Sequence, residues 1–459
     1  MVLSTSTAAF AAGFEVPENT TKSVGRGGTG AVNKRDPSAL YFNPALLERA
    51  RGAQVLLNVN LLNLNLEFQR DPLVNEENRR NPKLEYDAIR NQSGFFPAPF
   101  LTASWDLGIE NLTIGAGLFG PSGYGQRCYG KLTDSGCDVD EDNGGRYMMV
   151  GTTLIEAFAS LGAGYRIELP YGDLSVGASA AATYLDSDFT LVIHGGTDRE
   201  NWEDPENDAV FRGNGLSDWA LSGTFGLAYD IQGFRLAASY RPPISWEAEG
   251  TAELTPAPSN NLGELTDDGV TLRTEQAGVL RMGFGLEAGE HPGDATRPRY
   301  DFEFNMVWED WSRVDRFEIT PHGKLKVLNA ETDLGTLYQV KGYEDTFSFR
   351  LGGSYAFNDW LTGHAGGYYE TGAQAEEYTN LDFVSWNRYA GGLGATFNVV
   401  DGFDFDVAYM HVYSPERHVD EGEIYKQSLS ETEGGTAQNT GTWNSSFQLA
   451  SFGVTYRYD

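Results

Sequence analysis

From Tyr300 to Glu309 the chain alternates strictly, with one exception. Tyr300, Phe302, Phe304, Met306 and Trp308 share one parity, and Asp301, Glu303, Asn305 and Glu309 share the other, Val307 being the exception. Successive side chains of a strand point to opposite faces, so this stretch makes one apolar face and one acidic face. The pattern recurs in Phe347, Phe349, Leu351, Tyr355 and Phe357 against Ser348, Arg350 and Ser354, and in Phe403, Phe405, Val407 and Tyr409 against Asp404 and Asp406. An amphipathic sheet of this extent needs an apolar medium outside it. A bilayer supplies one, and a closed barrel is the sheet that satisfies its backbone in lipid. The expected fold is all-β: a transmembrane antiparallel β-barrel.

The pattern predicts fourteen strands, at 52–68, 99–108, 112–120, 145–167, 173–194, 217–230, 233–249, 277–288, 298–311, 346–357, 360–371, 388–398, 402–413 and 446–458. Connections alternate in length. Short ones hold Ile109-Glu110-Asn111, Leu169-Pro170-Tyr171-Gly172, Ile231-Gln232, Asn358-Asp359 and Val399-Val400-Asp401. Long polar ones lie at 69–98, 121–144, 195–216, 250–276, 312–345, 372–387 and 414–445. Short periplasmic turns and long extracellular loops are the outer-membrane pattern. In the first strand Val55, Leu57, Val59 and Leu61 hand over to Leu62, Leu64, Leu66 and Phe68, a phase change that predicts a β-bulge. Residues 13–51 do not alternate and carry glycines at 25, 27, 28 and 30. In a barrel this segment has no strand to pair with and is expected in the lumen, as a plug ahead of a barrel at 52–459.

Composition agrees. A mean hydropathy of −0.39 with 13% aromatic residues fits a barrel better than a helical membrane protein, and no apolar run reaches 18 residues. The formal charge of −32 leaves no basic stripe for nucleic acid. Acidic loops keep the chain soluble or share divalent cations with anionic headgroups; the expected surroundings are outer-membrane lipid and lipopolysaccharide.

Cys128 and Cys137 share one polar loop and are the two cysteines of the chain. They point to a small disulfide-closed loop in an oxidising compartment, with two free thiols or part of a metal site as the alternatives. Ala8-Ala9-Phe10-Ala11-Ala12 resembles the end of a secretory signal, so 1–12 reads as its remnant.

Other motifs carry less. Gly115 to Gly120 matches G-x-G-x-x-G, but Pro121-Ser122-Gly123 follows where a dinucleotide site needs a helix. A Gly-Pro break there reads instead as a lateral gap in the wall. Asp138, Asp140 and Asp142 begin like an EF-hand loop, yet the glycine falls one place late and the twelfth position is Met149, which leaves a solvated acidic loop or, as the alternative, a weak Ca²⁺ or Mg²⁺ site. The six histidines show no zinc-ligand spacing, and G-x-S-x-G is absent. No cofactor, metal site or catalytic residue is expected.

Several stretches resemble the long-chain fatty acid transporters of the Gram-negative outer membrane, the FadL-type family, which includes relatives that import aromatic hydrocarbons. They are Gly13-Phe14-Glu15-Val16-Pro17-Glu18, Ser23 to Gly28, Ser38 to Ala45 with its Asn43-Pro44-Ala45, Gly145-Arg146-Tyr147, Ala238 to Ile244, Trp308 to Ser312, Tyr343 to Thr346 and Phe452 to Tyr458. The resemblance implies a fourteen-stranded barrel with an N-terminal hatch. It implies capture of an amphipathic ligand among extracellular loops and release sideways through a kink in strand three. Phe14, Val16, Phe42, Asn43 and Pro44 would belong to the hatch site, and Phe119, Gly120 and Pro121 to the gap. Lys341 would meet the ligand headgroup. The chain departs from the family in ending on Asp459, so Tyr458 would serve the usual assembly signal.

Passive uptake of long-chain fatty acids or similar hydrophobic molecules by a monomer is therefore the expected function. Burial of an alkyl chain stabilises it by roughly 0.8 kcal/mol per methylene, so one polar anchor suffices. A general diffusion porin, a lipid hydrolase of the outer membrane and a surface adhesin are the competing readings.

Overall fold

The computed structural model describes residues 19–74, 83–120, 125–133, 136–195, 203–259, 264–327, 330–428 and 436–458. Phe14, Val16 and Pro121 lie outside the described residues, as does the segment 1–12. Fourteen strands pair in a ring. They are β1 (Ala53–Arg70), β2 (Phe96–Trp105), β3 (Leu112–Phe119, resuming at Gly125–Cys128), β4 (Gly151–Leu169), β5 (Gly172–His194) and β6 (Asp208–Ile231). Next come β7 (Phe234–Arg241, then Ile244–Thr255), β8 (Gly269–Gln276, then Val279–His291) and β9 (Asp294–Glu309, with an outer piece Arg316–Pro321). The ring is completed by β10 (Thr346–Ala356), β11 (Leu361–Glu370), β12 (Arg388–Val400), β13 (Phe403–Val419) and β14 (Gly441–Tyr458). Each strand pairs antiparallel with its neighbours in sequence, and β1 closes on β14 from Ala53↔Tyr458 to Arg70↔Gly441. Pro242-Pro243 divides β7 because neither residue can donate to a ladder.

The alternation has the sense that the sequence predicts. On β9 Tyr300 is 44% and Phe302 41% exposed, while Glu303 on the other face is fully buried. Trp105, Trp360 and Tyr456 lie exposed at the turn end, and Trp219, Tyr389 and Tyr413 nearer the loops, as two interfacial aromatic belts. The bulge expected in β1 is not there. Its register against both β2 and β14 is continuous. Even-numbered residues face inward throughout. Near the turns they are Asn58 and Asn60, polar groups beside the hatch. Nearer the loops they are Leu62, Leu66 and Phe68, buried under the loop layer. The phase change records a change of neighbour along one face.

Residues 19–51 fill the lumen. They form helices α1 (Thr21–Gly25) and α2 (Ala39–Phe42) and a 3-10 turn at Pro44–Arg49. Segments this short do not hold themselves as helices in water, so the wall must hold them. The acidic inner faces do so. Arg26 sits 2.5 Å from Asp301 and 3.1 Å from Glu303 on β9. Lys22 lies 3.9 and 3.8 Å from Asp404 and Asp406 on β13. Arg35 and Arg49 both reach Glu287 on β8. At the seam, Asn58 of β1 donates to the Asn19 carbonyl at 3.1 Å, and Thr21 meets Ser451 of β14 at 2.8 Å.

Candidate functional site

Asn43 is the pivot between hatch and wall. It is fully buried, and its side-chain oxygen accepts from the Ala45 amide at 3.1 Å, capping the turn that Pro44 begins. Its amide nitrogen lies 3.1 Å from the Ala31 carbonyl, 3.2 Å from that of Leu227 on β6 and 3.4 Å from that of Ala238 on β7. The wall makes room with Gly226: a Cβ there would fall 3.0 Å from the Ala45 nitrogen and 3.1 Å from Asn43 Cγ. A neighbouring device has Ser239 of β7 donating to the Phe42 carbonyl at 2.6 Å.

Next to this pivot the hatch presents rings to the broken strand. Tyr41 meets Phe42 edge-on at 4.8 Å, Phe119 of β3 at 5.4 Å and Phe100 of β2 at 6.1 Å. Phe100 and Phe119 stack at 5.0 Å, and Phe158 of β4 lies 6.1 Å beyond Phe119. Arg281 stands over the Tyr41 ring and Arg241 over that of Phe158. The space left among Tyr41, Phe119 and Phe158 is about 10 Å³, room for one water, so a ligand must displace rings to enter.

At this point the wall loses its regularity. Pairing of β3 with β4 stops at Phe119↔Phe158 and resumes at Gly125↔Leu154. Between these paired ends β4 spends three residues (155–157), whereas the sequence from Phe119 to Gly125 spends five (120–124). Pairing of β3 with β2 ends at Phe119↔Phe100 and does not resume among the described residues. Gly120, half-buried, stands at the break.

Lys341 is elsewhere, in the loop layer. It is fully buried and ion-paired with Asp382, with the Phe317 and Phe383 rings 4.6 and 5.4 Å from its ammonium. Burial holds its pKa below the usual lysine value. A ligand headgroup at this position would have to compete with Asp382. One buried apolar cluster nevertheless joins the two places: Phe317, Tyr343 and Phe383 belong to the same cluster as Tyr41, Phe100, Phe119 and Phe158. Cys128 and Cys137 are joined as a disulfide beside the resumed part of β3. Asp138 of the EF-hand-like run pairs with Arg212 at 3.0 Å, and Asn143 caps the Gly145 amide.

Tyr41, Phe100 and Phe158 were missed as site residues by the sequence reading. Phe100 and Phe158 occupy inward positions otherwise held by Thr102 and Ser104 on β2, and by Glu156 and Ser160 on β4. An aromatic residue on the polar parity is the signal that could have found them. A cavity of about 770 Å³ lies on the turn side of the hatch and is lined by charged groups such as Arg35, Arg51 and Arg297. It is no apolar ligand pocket.

A plugged barrel with an apolar path from its loops to an interrupted wall strand defines an outer-membrane transporter of hydrophobic small molecules. The chain belongs to the outer membrane protein transport family OMPP1/FadL/TodX, whose model matches residues 2–458. A Pseudomonas aeruginosa FadL homologue superposes with a TM-score of 0.75 at 16% identity, over 98% of this chain and 100% of that one. The Pseudomonas putida toluene transporter TodX gives 0.64 at 15% identity, over 96% and 99%. The Ralstonia pickettii toluene transporter TbuX gives 0.63 at 16%, over 96% and 99%. No curated protein matches the chain by sequence. Family and fold place it in the Gram-negative outer membrane, as a transporter and not an enzyme.

Proposed function

We propose that the protein takes up long-chain fatty acids or similar hydrophobic molecules passively and releases them sideways between β2 and β3. The observation that supports this most is the continuous apolar cluster from the loop layer to the Tyr41–Phe119 contact, ending where β2–β3 pairing ends. A ligand moving along it exchanges one apolar environment for another and then for the bilayer, so no energy source is required. The hatch argues against an open porin, because residues 19–51 occupy the lumen and are ion-paired to its wall. Small aromatic hydrocarbons are a second reading, favoured by the ring cluster, whose edge-on contacts suit a flat π-face.

The test is uptake of labelled oleate and labelled toluene by cells lacking their own transporters, with this chain or its Gly120→Trp variant. Uptake that the variant loses supports lateral release, and the preferred label names the ligand. Equal uptake by chain and variant, with both barrels folded, would sink it.

A further inference from the structure

The break in β3 has a counterpart on β2 that the family comparison does not supply. β2 begins Phe96-Pro97-Ala98-Pro99-Phe100. Its ladder with β1 runs unbroken through both prolines, as Leu61↔Pro97 and Val59↔Pro99. A residue in a strand turns its N–H and C=O to the same neighbour, and successive residues turn to opposite neighbours. The Leu101 carbonyl faces β3, since it would lie 3.1 Å from a Cβ on Gly117, and that of Ala103 would lie 3.5 Å from a Cβ on Gly115. Pro97 and Pro99 share the parity of Leu101 and Ala103, so their backbone also faces the β3 side. Proline has no N–H. The two residues of β2 that would donate to β3 just beyond the Phe100↔Phe119 pair therefore have nothing to donate.

The position of these prolines matches the limits of the gap. Below it stand Phe100 and Phe119, paired and stacked. Above it Phe96 lies against Gly125, where a Cβ would overlap the ring. Between them β2 offers Pro97, Ala98 and Pro99, roughly 10 Å of edge. Both proline rings face outward and are exposed, while Ala98 faces inward and packs against the apolar cluster that holds Leu62 and Val24. Proline is disfavoured in a paired interior strand and is found at edges. From Phe100 to Trp105 β2 pairs with β1 on one side and β3 on the other, so an edge in the middle of the wall needs explaining.

We infer that Pro97 and Pro99 are positioning residues that hold the lateral exit open by denying β2 the donors needed to zip against its neighbour. This rests on the sideways-release reading above. The exit is then built from two sides: a length mismatch between β3 and β4, and a donor-free edge on β2.

The test restores the donors with strand-forming residues, as Pro97→Val with Pro99→Val. Amide exchange at 97 and 99 is read in the purified protein, and uptake of labelled oleate and toluene is read in cells beside Gly120→Trp. Two added backbone hydrogen bonds shift an open–closed balance about tenfold or more. The expected result is protected amides at both positions and uptake down about tenfold, with oleate binding in detergent unchanged. Freely exchanging amides overturn the inference whatever the ligand. Wild-type uptake by the double variant while Gly120→Trp loses it also overturns the inference and leaves lateral release standing. Wild-type uptake by both removes lateral release itself. If the double variant does not fold, Pro99→Val alone carries the same readouts, with about a threefold loss expected for one added bond.

Discussion

Tyr41 of the hatch and Phe119 of the wall meet edge to face, ring centres 5.4 Å apart and planes at 78°. Through this contact the lumen filling touches the last residue of β3 before its break. A ligand that parts the two rings stands between the hatch and the membrane.

Removing one ring should therefore ease entry. Tyr41→Ala loses edge contacts to three rings, each worth about 0.5–1.5 kcal/mol beyond its buried area, contacts that a ligand otherwise has to part. Binding of the transported molecule should strengthen about tenfold, as measured by tryptophan-fluorescence titration in detergent, with the barrel still folded.

Asn43→Ala should loosen the hatch. The substitution strips three backbone carbonyls of a buried donor, at about 1–3 kcal/mol for each group left unsatisfied. Conductance in planar bilayers should rise. Gly226→Val should act alike, because its side chain would enter the space of Asn43 and Ala45. Conductance equal to wild type in both would show that the pivot does not hold the hatch.

Breaking a wall pair should cost more than its Coulomb attraction. Glu303→Gln takes one of the two carboxylates paired with Arg26, leaving Asp301, and weakens the acceptor of the Val32 amide. A loss of about 3 kcal/mol follows from a buried cation left part-compensated. The thermal midpoint in detergent should fall, and Glu303→Asp should recover part of it.

Lys34 gives a pH dependence. It donates to Thr20 and Ser23 and lies over the Phe42 ring, and burial lowers its pKa from 10.5 to about 8. Between these values the unfolded chain binds more protons than the folded one, so this group's contribution to stability rises with pH across that window. Lys34→Met should stabilise the protein at pH 7, and the gain should shrink as pH climbs from about 8 to about 10.5. A gain independent of pH would assign it to packing alone.

The barrel was legible because its signal is local: Phe302 against Glu303 already fixes which face meets lipid. The short turns were legible for the same reason, as at Asn358-Asp359; at Val399-Val400-Asp401 the strand runs on through Val400 and the turn is Asp401-Gly402. The hatch could be placed by exclusion, since the described residues ahead of β1 (19–51) show no alternation and join no ladder. Contacts between the two could not be read. Nothing in the neighbourhood of Asp301 or Glu303 says that Arg26 will meet them, because that pairing spans the lumen and depends on the whole ring being closed. Lys341 shows the same limit: its resemblance to a headgroup lysine was visible, its pairing with Asp382 was not. In β1 the apolar handover at Leu61-Leu62 read as a shift of register, when the strand is regular and its surroundings change.

The ties from Asn19 to Asn58 and from Thr21 to Ser451 bear on assembly. β1 and β14 lie almost a whole chain apart, and joining them is the step with the largest loop to close. The start of the hatch bonds to both. It is adjacent to β1 in sequence and carries with it a ready site for the last strand, a jig at the seam. Once that seam forms, the hatch is ringed by a wall that is interrupted at the β3 break. The barrel is closed around its contents, and one short segment of those contents ties its first strand to its last.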